Sequence, residues 1–182
     1  LQEHREKKVV ADLIQYLAEK ARTNPALGAI PELLSSGKHV ALVIAERLIN
    51  MPVEIAPPMY GMLVDEIEAA VEDKEPYEFT HYLVLSKIYS EVESTLDIEE
   101  RKKKKGKTEK VTFYRNVEDE YLAKFASAHG PFEFTKVNEA NPDSKRAFQE
   151  AGLAGSGHLM LIEASKFPEA VKTIQTTFAP PS

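Results

Sequence analysis

An α/β sandwich around a mostly antiparallel sheet is the fold this sequence predicts, on three observations. Apolar residues recur at helical spacing near both ends, two β-rich stretches flank a charged tip as in a hairpin, and further apolar runs bounded by turn residues alternate with short helical patterns. The totals agree. At 182 residues, 43% hydrophobic and 29% charged, the composition is that of an ordinary globule. A domain of this size buries roughly 70% of its unfolded surface, so a single domain over residues 1–182 is expected.

The elements follow in order. From Arg5 to Arg22 the apolar positions Val9, Val10, Leu13, Ile14 and Leu17 keep a helical period, which ends at "TNP" because Pro25 disfavours helix in the residue before it. "NPALGAIPELLSSG" reads as a loop with a short helix near Pro31 to Leu34, and the β-branched run from His39 to Glu46 as a central strand. Pro52, Pro57 and Pro58 turn a corner, after which Met59, Met62, Leu63, Glu66, Ile67 and Ala70 mark a helix to about Asp73; proline suits a helix start because the first amides have no intrahelical acceptor. "YEFTHYLVLSKIYSEV" alternates like a long strand, "KVTFYRN" is its partner, and residues 94–110 between them form a mobile lysine-rich hairpin tip. "VEDEYLAKFA" is a short helix with Val117, Tyr121, Leu122 and Phe125 inward, "PFEFTKV" and "HLMLIEA" are strands, and Pro168 to Phe178 closes the chain as a helix.

No apolar stretch reaches the roughly 18 residues of a membrane span, and "LQEHREKK" lacks the apolar segment of a signal peptide. The absence of cysteine removes disulfides, thiolate metal ligands and a cysteine nucleophile. A soluble intracellular protein is expected. The chain opens without Met in mid-helix pattern, which predicts a piece of something longer.

Catalytic signals are sparse. His4, His39, His81, His129 and His158 are scattered singly, with none of the spacings by which ligands converge on a metal, so structural roles are expected. No G-x-S-x-G elbow occurs. "GLAGSG", Gly152 to Gly157, has the residues of a phosphate-cradling loop but the wrong context: it precedes an apolar strand instead of opening a helix, and no Lys-Ser/Thr pair closes it. A flexible turn is expected there.

Charge is the informative feature. The net charge is −6, but Asp65, Glu66, Glu68, Glu72, Asp73, Glu75 and Glu78 face a single base, Lys74, whereas the run Arg101 to Lys110 has seven bases and one acid. Opposed patches suggest partners more than substrates. The acids are a candidate surface for a basic client or the solvated side of a helix. Arg101, Lys102, Lys103, Lys104, Lys105 and Lys107 read as a solvated tip, an import signal or a phosphate-contacting patch, and the last is disfavoured by the absence of interleaved aromatics.

The stretch "ALVIAERLINMPVEIAPPMYGMLVDEI" carries a resemblance: strand, Glu-Arg, aliphatic, Ile-Asn, proline, then a Pro-Met-Tyr helix start. It resembles the BCCIP family, whose fungal members are the Bcp proteins, and "HYLVLSKIY", "RKKKKGK", "NVEDEYLAKFA" and "LMLIEASKFPEAVKTI" follow in family order. The resemblance implies a three-layer fold similar to the Gcn-five-related acetyltransferases without their activity or cofactor. The residues agree on that point, since the acetyl-CoA loop Arg/Gln-x-x-Gly-x-Gly/Ala lies between a strand and a helix, while "GLAGSG" has Gly152 at the basic or amide position and leads into a strand.

The resemblance further implies an acidic extension ahead of this chain, a nuclear location with shuttling, and chaperone and export roles. One implied client is the basic large-subunit ribosomal protein numbered fourteen in the universal nomenclature; another implied cargo is a phosphatidylinositol-phosphate kinase. Acetyl-CoA-dependent transfer and nucleic-acid binding through the lysine run stand as alternatives. Glu46, Arg47, Asn50, Pro57, Pro58 and Tyr60 are expected to form a structural strand-to-helix corner, not a catalytic edge.

Overall fold

The computed structural model describes residues 8–36, 40–44, 52–75, 78–91, 112–133 and 152–179. Among the described residues five strands form one sheet: β1 (Val40–Ile44), β2 (His81–Glu91), β3 (Thr112–Tyr114), β4 (Ala126–Phe132) and β5 (Leu153–Glu163). The spatial order is β1-β2-β5-β4, with β3 joined to the far end of β2. Among these strands β1 and β2 run parallel, and the other pairings are antiparallel.

Helices cover both faces, because β2 and β5 are apolar on both sides. Tyr82 and Val84 on β2 with Met160 and Ile162 on β5 face a layer of α3 (Ala56–Glu72), α4 (Val117–Ala123) and α5 (Phe167–Thr177). Leu83, Leu159 and Leu161 point the other way, onto α1 (Lys8–Thr23) and α2 (Ala29–Ser35). The three-layer α/β sandwich with a mostly antiparallel sheet is thereby realised. Phe167 is the largest fully buried side chain among the described residues, its ring 4.5 Å from that of Tyr82, and burying such a ring is worth about 3 kcal/mol.

Several expectations need correction. Of the strand expected over His39 to Glu46, Val40–Ile44 are described, and among the described strands they stand at the end of the order, beside β2, instead of at the centre. Of "PFEFTKV", Pro131 and Phe132 end β4 (Ala126–Phe132), while residues 134–137 lie outside the described residues. "GLAGSG" is not a turn: only Gly152, at φ 69°, sits in one, while Gly155 and Gly157 lie within β5 opposite Tyr89 and Lys87. The reason is steric. A Cβ on Gly157 would lie 2.2 Å from the ring of Phe132 on the neighbouring strand, so glycine lets that ring cross β5.

The corner is placed in part. Pro57 is buried and Pro58 exposed in the first turn of α3, and Tyr60 is buried against Phe167; Glu46, Arg47 and Asn50 lie outside the described residues. So do the hairpin tip and the set from Arg101 to Lys107.

Candidate functional site: an acidic helix face and a buried polar cluster

α3 divides its residues by phase. Tyr60, Leu63, Val64 and Ile67 pack on the core, while Met59, Met62, Asp65, Glu66, Ala69 and Glu72 fall on one solvent-facing arc at 100° per residue. That arc spans about 20 Å along the axis. Met59 and Met62 are 52% and 62% exposed, one turn before the acids they share the face with. Glu68 flanks the arc and is exposed, yet close enough to Tyr82 to help burial raise the pKa of that hydroxyl.

Asp73, Glu75 and Glu78 continue the acidic set beyond the helix, all exposed. All seven acids of the expected patch are thus on the surface. The helix itself holds four acids and no base, and no basic residue in its last turn compensates the negative end of the dipole. An uncompensated run of this kind projects a negative potential that attracts cationic partners and repels polyanions.

The second polar region was not visible in the sequence. On the α3–α5 side of the sheet, the buried Ser86 hydroxyl donates to Asp119 Oδ2 at 2.5 Å, and Asn116 Nδ2 donates to the same oxygen at 3.0 Å. Directly across from Ser86 in register, His158 is 5% exposed. Its Nε2 lies 3.2 Å from His129 Nδ1 and 3.4 Å from the Tyr114 hydroxyl. Burial, and then the neighbouring His129, lower the pKa of His158 to about 4, so it is neutral at pH 7. Burial first, then Asp119 and Glu120, raise that of Tyr114.

Chemically, this cluster is not a nucleophile–base–acid relay. The Ser86 hydroxyl donates its hydrogen bond to Asp119, and the imidazole of His158 is engaged by Tyr114 and His129 instead of the serine. Among the described residues no three His, Asp or Glu side chains are grouped to hold a metal ion. His81, the other described histidine, stands apart, its Nδ1 3.0 Å from Thr80 Oγ1. No described helix is long and apolar enough to cross a membrane.

α4 departs most from expectation. Val117 is 52% exposed, whereas Glu118 and Asp119 are 1% and 2% exposed. Leu122 is inward as expected, with Tyr121 and Phe125 partly buried. The helix is rotated so that Asp119 meets Ser86, and Asn116 at its start is the only sequence signal, as a residue type favoured there.

Relatives place the chain. The sequence model of the BCCIP family matches residues 1–122. Protein BCP1 of Gibberella zeae is 61% identical over 171 residues, covering 94% of this chain and 60% of that protein. Protein bcp-1 of Neurospora crassa is 54% identical, with 94% and 59% covered, and protein bcp1 of Schizosaccharomyces pombe 38% identical, with 98% and 66% covered. The chain thus spans about three-fifths of the length of the first two of these curated relatives. The crystal structure of BCP1 from Saccharomyces cerevisiae shares the fold, with a TM-score of 0.56 at 19% identity over 94% of this chain and 58% of that one. With the family's model running through α1, α3, β2 and most of α4, and relatives aligned over nearly all of its length, this chain belongs to the BCCIP family.

Proposed function

We propose that this protein is a non-enzymatic binding protein that escorts a basic client on the solvent face of α3. The observation that carries the reading is the arc of Asp65, Glu66 and Glu72 beside two exposed methionines, on a helix without a base. Acidic side chains supply encounter rate and partner choice, and methionines adapt to an apolar partner surface. Family membership supports the more specific assignment. The client is the basic large-subunit ribosomal protein numbered fourteen, held in the nucleus away from RNA, and a phosphatidylinositol-phosphate kinase is a second, export cargo. Such a ribosomal protein is strongly basic when free, so an acidic face neutralises it and competes with nucleic acid for it.

Calorimetric titration of the chain with the purified ribosomal protein tests this, with acetyl-CoA titrated in parallel. Stoichiometric binding of the ribosomal protein that weakens with added salt is expected. Saturable binding of acetyl-CoA alone would put acetyl transfer in its place. Binding to nucleic acid that disappears on deleting Arg101 to Lys110 would instead favour the lysine run as the working surface.

A further inference from the structure

We propose that His129 and His158, with the Tyr114 hydroxyl beside them, form a site for one divalent transition-metal ion of the kind that prefers imidazole, with Zn²⁺ as the reference ion. The first argument is distance. Two nitrogens bound tetrahedrally to zinc at about 2.0–2.1 Å lie about 3.3 Å apart. His129 Nδ1 and His158 Nε2 are already 3.2 Å apart, the separation that ligation of one ion requires, and the Tyr114 oxygen is 3.4 Å from His158 Nε2.

The second argument is rigidity. His129 and His158 lie on adjacent hydrogen-bonded strands, where His129 pairs with Met160 and His158 with Pro131, which sets the two rings diagonally on one face. The Tyr114 ring packs edge-on to His158 at a centroid distance of 5.3 Å, so all three donors are held by the sheet. Sites on strands hold geometry better than sites on loops.

The third argument is access. His129 is exposed, which gives an ion a way in from solvent without opening the core.

The affinity is set by what surrounds the ligands. Ligation through Nε2 places the proton of His158 on Nδ1, which has no hydrogen-bond partner among the described residues. A ligand histidine without such a partner loses about 10–100-fold in affinity, so the ion is exchangeable, not permanently bound.

The test is a Zn²⁺ titration of chelator-treated protein, followed by calorimetry and by the NMR signals of the histidine rings. One equivalent of Zn²⁺ is expected to shift two of the five histidines, His129 and His158. His129→Gln, at an exposed position, keeps the melting temperature and weakens binding by at least about a hundredfold, while Tyr114→Phe weakens it less. His158→Gln is a poorer probe because His158 is itself buried and its replacement also perturbs the fold. No saturable binding at millimolar Zn²⁺, undiminished affinity in His129→Gln, or shifts confined to His4, His39 and His81 would overturn the proposal.

Discussion

α3 and α4 lie in the same helix layer and both are rich in acids, yet they treat them in opposite ways. α3 turns Asp65, Glu66 and Glu72 to water, buries Tyr60 and packs the partly buried Leu63 and Ile67 on the core. α4 buries Glu118 and Asp119 and leaves Val117 half exposed. Length explains part of this. Over 17 residues an apolar stripe fixes the rotation of a helix, whereas over seven it is outweighed by one strong polar contact, here the Ser86 hydroxyl on Asp119. An acid's place in the sequence therefore says little about its work: those of α3 are available to a partner, and Asp119 ties a helix to the sheet.

The sharpest way to break this comparison is to remove an acid from each helix. Asp119→Ala leaves the buried Ser86 hydroxyl and the Asn116 amide without their acceptor, for an expected loss of about 2–3 kcal/mol and a fall in Tm of roughly 5–10 °C. A scanning-calorimetry Tm within a degree of wild type would show that Asp119 is not the tether described here.

Acid titration probes the same cluster. His158 carries a folded-state pKa of about 4 against 6.5 for the free side chain. Between those values the unfolded chain takes up the proton more readily, so stability is highest above pH 6.5 and declines as pH falls toward 4. The decline from this group is at most about 3 kcal/mol, measurable by urea unfolding with a chelator present. In His158→Gln this component of the slope should vanish, and its persistence would assign the slope to other groups.

The smallest stability effect belongs to α3, and its sign matters. Glu72 lies in the last turn of a helix whose negative end has no basic residue near it within that turn. Glu72→Lys should stabilise the fold by about 0.3–1 kcal/mol while weakening the client. A residue that harms stability and aids binding is what a surface kept for a partner should contain.

Long periodic elements were legible in the sequence. α1, α3, α5 and β2 stand close to where the spacing of Ile14 and Leu17, Leu63 and Ile67, Val171 and Ile174, and Tyr82 and Val84 put them. The start of β5 was not legible, because Gly155 and Gly157 look like turn residues until Phe132 is known to cross them. Nor was the pairing of His129 with His158. They are 29 positions apart on neighbouring strands, and register, not spacing, brings them together. The seven exposed acids were legible as a group, since an acidic run on a helix with a complete apolar stripe has nowhere to go but outward.

The most direct test of the central claim is the affinity of the ribosomal protein for a variant combining Asp65→Asn, Glu66→Gln, Glu68→Gln and Glu72→Gln, measured by calorimetry at two salt concentrations. An unchanged or higher Tm, affinity reduced at least tenfold and a flattened salt dependence are predicted. Undiminished affinity in a folded variant would contradict the assignment of client binding to α3.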